Sequence, residues 1–552
     1  MQKASASDTR QLWQLLRSSR NWSGKKHSHS SLNLSANYCP TADELNSYYA
    51  SVSTDPNYSS AAVADALNAA IFTSTALPLP LDGTSHNFVP FSSTYISLIL
   101  SRIKPTSPGP DGIPYWLYKN CAAELSSIVT KLINYSLTES VVPRIWKTAH
   151  ITPVPKCSPV SAPSDLRPIS VTSILSRTVE RLIVRNYLTP LLQSDVFNDQ
   201  YAYKPTGSTT CALIDFTHRI HTMLETSRYV RCILIDFSKA FDMVDHAILI
   251  QKLSSMKMPS LVLKWIASFL TDRTHATRLD FILSSYKSFN RSIVQGSGIG
   301  PTLFVIFAAD LKSLDFRNYL LKYADDSTLL CPELSNTSVE TEMRHITDWA
   351  ITNKMMINLL KTVELVFRRP NLNHDILPPP LAGIERMDSA KLLGVLFSSN
   401  LKFTDHVSSI VSICNQRLYL LSQLRRQGLG ASSRDAVFTA IIVNRIMYAL
   451  PVFNGYLSEK DKSQIMSIFV KARRWQLLLF PPDFESLVTT AEYRLFQQSL
   501  ASNHCLHHIY TPKIKNPDAM ELRKRGHDFI LPTVNYNFNS HTFIVRALFN
   551  FR

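Results

Sequence analysis

Tyr323-Ala324-Asp325-Asp326 lies between two apolar, strand-like runs, Leu320-Leu321-Lys322 and Ser327-Thr328-Leu329-Leu330. A run-turn-run pattern of this kind predicts a β-hairpin with the acids at its tip. Ionised neighbours repel and lose hydration when buried, so such a tip is costly by itself. A hard divalent cation held by oxygen ligands removes that cost. Upstream, the strand-like run Val230-Arg231-Cys232-Ile233-Leu234-Ile235 ends in Asp236. If the strand end and the hairpin tip meet, Asp236, Asp325 and Asp326 form one carboxylate cluster. That set suits two metal ions about 4 Å apart, clamping the attacking and leaving oxygens of a phosphoryl transfer. An Asp-Asp pair alone is usually only a turn, so the reading depends on its surroundings.

The chain has 552 residues, more than one compact core accommodates, and several subdomains are expected. A net charge of +16 favours a polyanionic partner such as nucleic acid. Eight cysteines scattered without paired spacing point to a reducing compartment. No apolar run approaches the ~20 residues of a membrane helix, and Met1-Gln2-Lys3-Ala4-Ser5 lacks the apolar core of a signal peptide. The expectation is an intracellular chain, in cytoplasm or nucleus, not secreted and with no membrane partner.

Along the chain, residues 1 to about 40 are rich in Ser, Lys and His, with a short helix expected at 11–16 and a flexible stretch around Lys25-Lys26-His27. Leu45, Tyr48 and Tyr49 fall at helical spacing. Ser107-Pro108-Gly109-Pro110-Asp111-Gly112 forces a turn before a helix over 122–137. Ile151 to Lys156 reads as an edge strand, because Pro153 and Pro155 cannot donate to a central ladder. Asp165-Leu166-Arg167-Pro168 follows, then a helix over 178–192. Gln200-Tyr201-Ala202-Tyr203-Lys204 precedes another helix marked by Leu213, Phe216, Ile220 and Leu224. Asp236-Phe237-Ser238-Lys239-Ala240-Phe241-Asp242 comes next, with no metal role expected for Asp242 or Asp245. Val294-Gln295-Gly296-Ser297-Gly298 has a Gly-x-Gly look but the wrong spacing for a dinucleotide fingerprint, and a helix over 302–311 should follow it. Asn358-Leu359-Leu360-Lys361, a strand over 363–367 and the turn Lys391-Leu392-Leu393-Gly394-Val395 complete the series.

In this order the boxes resemble those of a reverse transcriptase, most closely the polymerase of non-LTR (LINE-like, jockey or CR1-type) retrotransposons, over roughly residues 40 to 550. The resemblance implies an α+β right-hand polymerase of fingers, palm and thumb, with an antiparallel palm sheet and a helical C-terminal region. Residues 1–90 would be a polar leader and helical extension, 91–400 fingers and palm, and 401–552 a helical thumb with a basic C-terminal region. By the same resemblance Asp236, Asp325 and Asp326 are catalytic metal ligands, joined by the backbone carbonyl of Phe237. Lys156 and Arg167 would grip the triphosphate, as a point charge and a fork. Phe241 would sit under the sugar and leave no room for a 2′-OH. Gln295 would contact the incoming nucleotide, Gly296 would permit close backbone approach, and Lys361 would protonate the leaving pyrophosphate. The turn at Leu393-Gly394 would grip the primer end. Mg²⁺ is the implied ion, with Mn²⁺ as a substitute. The implied partners are an RNA template, a DNA primer or target, and dNTPs; oligomeric state is not legible. Ala202, Tyr203 and Lys204 stand where the family has Gly, Phe and Arg, which leaves the template contact open there. Ala308-Ala309 replaces a more polar pair. The family usually carries an endonuclease upstream, so the short leader implies a truncated or separately encoded polymerase half.

Beyond the palm, Thr404 and Asp405 are expected to cap a helix carrying Val407, Ile410, Cys414, Leu418 and Leu421. Helices over 434–449 and 459–475, the latter ending in Lys471, Arg473 and Arg474, suit a thumb that tracks phosphates. Cys505 with His504, His507 and His508 has no second ligand pair at zinc spacing and reads as structural. Arg523-Lys524-Arg525-Gly526-His527 is a candidate RNA contact. Two rival functions remain: an RNA-dependent RNA polymerase, against which the Tyr-Ala-Asp-Asp box and Phe241 argue, and a catalytically decayed retroelement product that only binds nucleic acid.

Overall fold

The strand that leads into Asp236 is covered on both faces, and this is why its sequence, apart from Arg231 paired with Glu364, is a continuous apolar run rather than an alternating one. Twelve strands are described: β1 (Thr148–Pro155), β2 (Leu166–Val171), β3 (Tyr229–Ile235), β4 (Arg273–Leu279), β5 (Ile282–Leu283), β6 (Lys287–Phe289), β7 (Tyr319–Tyr323), β8 (Asp326–Pro332), β9 (Val363–Arg368), β10 (Glu385–Arg386), β11 (Ser389–Leu392) and β12 (Val395–Ser398). The computed structural model describes residues 33–35, 38–76, 89–256, 258–369, 377–478, 480, 482–513, 527–533 and 536–551. The helix expected at 11–16, the flexible stretch at 25–27 and the basic string 523–526 lie outside the described residues.

The palm sheet runs β10-β9-β3-β8-β7 with β3 at its centre. β3 is antiparallel to both β8 and β9. Its alternate residues serve different cores. Val230 and Cys232 pack with Phe216 and Leu224 of the helix Thr209–Thr226. Ile233 and Ile235 pack on the other side with Leu303, Phe304 and Ile346, from the helices Gly300–Phe307 and Val339–Thr352. A one-residue slip would exchange these two sets, so the register is strongly specified. The expected hairpin is present, with Tyr323 opposite Asp326 and Ala324-Asp325 as its turn.

The fingers sheet is β2-β1-β4, with β5 and β6 on β4. The edge assignment for β1 is overturned: β1 lies between β2 and β4. The proline rule still holds position by position. β4 pairs only with Thr148 to Ile151, whereas Pro153 and Pro155 sit beyond it and have β2 alone as neighbour. The helix Ala42–Val52, closed by a capping box between Thr41 and Glu44, packs Leu45 and Tyr49 onto this sheet against Ile151 and Leu166. Gly109 lets the proline-rich turn touch the backbone before the helix Ile174–Ile183, where a Cβ would lie 2.5 Å from Ser173 N. The Asp111 carboxylate accepts from the Ser173 hydroxyl at 2.6 Å.

Three sequence-based expectations need correction. The helix expected over 302–311 is Gly300–Phe307. The chain leaves it at Ala308, whose carbonyl accepts from the buried Lys322 ammonium at 2.9 Å. Thr404 and Asp405 do not cap the next helix, Thr404–Arg426; Phe403 holds the cap position without a side-chain bond. Phe403 is fixed there by rings on Phe397, Phe453 and Tyr456, and the Thr404 hydroxyl faces Asp461 at 3.4 Å. Lastly, the helical run Ala431–Tyr456 is long and apolar enough to cross a membrane by length and composition, but more than half of its most apolar stretch is buried against neighbours. Val437, Phe438, Ile442 and Ile446 belong to the same core as the palm helix Thr209–Thr226, so this run is a core element.

Candidate active site

The register of the palm sheet brings the acids together. Ile235 pairs with Ser327, so Asp236, one step further along β3, comes level with Asp326 on β8. Asp325 occupies the turn beside it. Burial raises the Asp325 carboxyl above its ordinary range; the Asp236 charge adds to this, and the Arg167 guanidinium opposes it. Asp326 is pushed up to about 6 by burial and then by the charges of Asp325 and Asp236. The ionised groups that reach Asp326 are therefore both negative. A carboxylate set with this excess charge fits divalent cations with oxygen ligands.

Asp236 is held from the far side. Its carbonyl accepts from Asn358 N at 2.8 Å, and Ser238 N donates to Met356 O at 2.8 Å. These two bonds flank an antiparallel bridge between Phe237 and Ile357. A bridge of this type does not use the carbonyl of the central residue, so the Phe237 carbonyl, expected as a ligand, is not engaged by it. The Phe237 ring is buried edge-on to Trp349.

The turn has its own support, which the sequence reading missed. Ala324 adopts φ +58°, an uncommon conformation for a residue other than glycine. Its N–H donates to Oε1 of Gln200 at 3.1 Å, and the same oxygen accepts from Ala202 N at 2.9 Å. Gln200 is buried, and its segment pairs with β7: Lys322 N donates to Asp199 O at 2.7 Å and Tyr201 N to Lys322 O at 3.0 Å. The sequence matches the Gln-Tyr string to a fingers box with its template contact open; the structure shows Gln200 holding the acidic turn. A glutamine in an aromatic string was the only hint in sequence.

The basic residues approach from the fingers. Val154 pairs with Arg167 across the β1-β2 hairpin, and Lys156 is two residues beyond Val154, so Lys156 and Arg167 share a face. Lys156 Nζ donates to Ser164 O at 2.7 Å. Its ammonium is lowered by burial first and next by the charge of Arg167; Asp242 opposes this, while Lys361 and Lys239 add to it. Lys156 thus feels the charges of both Arg167 and Lys361, selected from separate boxes. Lys361 is exposed and shares with Asp236, Asp326, Lys391 and Leu393 the lining of a cleft of about 470 Å³. The Leu393-Gly394 turn of the β11-β12 hairpin is pinned there by the Tyr448 hydroxyl, which donates to Leu393 O at 2.7 Å.

Phe241 is half-buried and stacks on Phe304, centroids 4.6 Å apart. Gln295 donates through Nε2 to Asp242 at 2.8 Å. Burial pushes that carboxyl up to about 6, with the Gln295 bond acting against the rise. The structure thus gives the Gln295 amide a protein partner, and gives Asp242, left without a role in sequence, a part in orienting it. Ser170 N of β2 donates to Gln295 O at 2.7 Å. Gly296 has φ +108°, and a Cβ there would lie 2.4 Å from Ser170 O. The close approach expected of Gly296 is therefore to the fingers strand. Gly296→Ala is expected to cost about 1–3 kcal/mol in chemical denaturation. Gly112→Ala, also at positive φ but with nothing within 4 Å of a new Cβ, should cost less; equal losses would remove the collision as the cause.

Residues 154–397 match the family described as reverse transcriptase (RNA-dependent DNA polymerase), whose members are nucleotidyltransferases that generally use divalent metals. The probable RNA-directed DNA polymerase from transposon BS of Drosophila melanogaster is 26% identical over 385 residues, covering 67% of this chain and 42% of that protein. The RNA-directed DNA polymerase from mobile element jockey of the same fly is 25% identical over 387 residues, with the same coverages of 67% and 42%. The chain spans less than half the length of these curated relatives. Among solved structures, a telomerase from Candida tropicalis in complex with a TWJ fragment of telomeric RNA covers 90% of this chain and 88% of its own at 13% identity, but its TM-score of 0.35 is too low to carry weight. The matched segment runs from the end of β1 through β2, β3, the acidic hairpin and β9, so residues 154–397 form a reverse transcriptase domain similar to those of jockey-type, LINE-like non-LTR retrotransposons.

Proposed function

We propose that the chain is an RNA-directed DNA polymerase, adding dNTPs to a primer 3′-hydroxyl on an RNA template with Mg²⁺, or Mn²⁺ in its place. The observation that carries this reading is the meeting of Asp236, Asp325 and Asp326, with Lys361 lining the same cleft and the Arg167 charge reaching Asp325. Carboxylates with phosphate-seeking cations beside them are what a nucleoside triphosphate needs in order to be held. Asp236, Asp325, Asp326 and the Phe237 carbonyl would hold the ions, which supply charge neutralisation at the 3′-oxygen and at the pyrophosphate. The protein's part is placement. Lys156 and Arg167 bind the β- and γ-phosphates and so align the α-phosphate with the 3′-oxygen. Attack forms the new phosphodiester bond and breaks the bond to pyrophosphate. Lys361, on the wall of the same cleft, is the proton donor to that leaving group.

Phe241 sets the sugar preference in this reading. Its ring is backed by Phe304 and cannot retreat from a 2′-oxygen. Phe241→Ala is expected to reduce discrimination against ribonucleotides by about tenfold to a hundredfold, the range within which an apolar pocket rejects an added hydroxyl. Single-nucleotide incorporation of dNTP and NTP by parent and variant measures it. The proposal as a whole is tested by extension of a DNA primer annealed to RNA. A parent that incorporates NTPs in preference to dNTPs would favour the RNA polymerase reading, and a folded parent that binds primer-template without extending it would favour the binding-only one.

A further inference from the structure

In the core that the helix Thr209–Thr226 shares with the C-terminal helices, Cys211, His504 and Cys505 converge. Cys211 lies in the first turn of the helix Thr209–Thr226, and His504-Cys505 follow the helix Phe484–Ser499 at the far end of the chain. One ligand atom from each of the three lies within 4.8 Å of the others, and all three residues are buried. Spacing in sequence hid this cluster, because Cys211 comes from the palm.

The surroundings are shaped for sulfur ligands. The Thr206 carbonyl lies 3.2 Å from Cys505 Sγ and 3.8 Å from Cys211 Sγ. The Thr206 hydroxyl accepts from Cys505 N at 3.0 Å, holding the second strand of the site in place. His504 Nδ1 accepts from Leu506 N at 3.2 Å. A bound ion takes an imidazole lone pair, and where that is Nδ1 it replaces this long contact. Two thiolates and an imidazole form a soft donor set that suits Zn²⁺, whereas Mg²⁺ prefers carboxylate and phosphate oxygens.

We propose that Cys211, His504 and Cys505 bind one Zn²⁺ ion that fastens the C-terminal helical region to the palm. Both thiols lose their protons on binding, and the fourth tetrahedral position falls to the Thr206 carbonyl or to a water. The location gives the ion a defined effect. Thr206 is six residues from Gln200, which holds the catalytic turn through Ala324 N–H. Fixing 504–505 to 206–211 therefore braces the segment that supports the carboxylate cluster. This proposal does not depend on the polymerase reading, since it concerns a different ion in a different place.

The test uses the full chain and the metal alone. The parent, purified without chelator, should hold close to one equivalent of zinc by elemental analysis. After exchange with Co²⁺ it should show thiolate-to-cobalt charge-transfer absorption. Cys505→Ser should lose both signals, while Cys414→Ser, a buried cysteine elsewhere, should keep them. A chelator should lower the melting temperature of the parent and of Cys414→Ser. A folded parent with no zinc and no cobalt–thiolate absorption overturns the proposal. So does absorption undiminished in Cys505→Ser, or a Cys211–Cys505 disulfide recovered from freshly purified protein. The parent measurements stand even if Cys505→Ser fails to fold.

Discussion

Asp325→Ala protein is expected to bind primer-template as the parent does and to extend it at least about a thousandfold more slowly, the scale on which loss of one charge-stabilising group in a water-poor site is felt. The residue sits at the hairpin tip, where no core packing depends on it, so the loss should be chemical. Stability supplies the second readout. In the metal-free protein Asp325 is one of the two negative charges that hold the Asp326 carboxyl up at about 6. An acid whose folded value is raised binds protons more tightly in the folded state. The metal-free parent should therefore lose stability as pH rises from the ordinary carboxylate range through about 6. Asp325→Ala should flatten that decline and melt slightly higher than the parent at neutral pH without metal. Adding Mg²⁺ should stabilise the parent more than the variant. A variant that melts lower than the metal-free parent and no longer binds primer-template would make Asp325 a structural residue and remove the carboxylate cluster from the mechanism.

The second large effect is expected at Asp199, away from the reacting atoms. Lys322 is 1% exposed, donates to the carbonyls of Ala308 and Leu311 at 2.9 Å each, and has Asp199 Oδ2 at 3.2 Å. Burial pulls its ammonium down to about 8, and Asp199 is the main charge that opposes the fall. Asp199→Ala leaves an ammonium in the core with dipoles alone to stabilise it, at a cost of about 3–5 kcal/mol. The sign of the pH dependence identifies the cause. A base whose folded value is depressed destabilises the fold most where the unfolded chain holds the proton. The loss in Asp199→Ala should thus be greatest near pH 7 and shrink by pH 9 to 10, as Lys322 sheds its proton. Urea denaturation at the two pH values measures this. A loss independent of pH would assign it to the Asp199–Lys312 pair at 2.6 Å, or to packing, rather than to Lys322. Because Lys322 immediately precedes Tyr323, polymerase activity should fall with the fold.

What could be read from sequence follows from how far the cause of each feature lies along the chain. β3 and the acidic hairpin were legible because burial on two faces leaves a local signature. Their meeting was legible because two acidic strand ends have few ways to share a metal. Lys156 and Arg167 followed from ordered boxes, and the hairpin register then placed them on one face. Gln200 had no legible role because its partner, the Ala324 N–H, is a backbone group with no sequence signature. Cys211 could not be joined to His504 and Cys505 because nothing in spacing connects a palm helix to the end of the chain. β1 was taken for an edge because the proline rule was applied to a whole strand, when it governs single positions. Phe403 displaced Thr404 at a helix start because ring packing there outweighed one capping bond.

The bond from Ser170 N to Gln295 O, with Gly296 pressed against Ser170 O, has a consequence for motion. It sews the root of the fingers hairpin to the palm by main chain, so the fingers cannot swing as a door on that side. The tip, from Lys156 to Asp165, is held as well: Val160 is buried, its N–H donates to Asn33 O and its carbonyl accepts from Ser35 N, both at 2.9 Å. The proposed nucleotide would then be captured on a fingers hairpin fixed at both root and tip, by settling of side chains rather than by the swing of a domain.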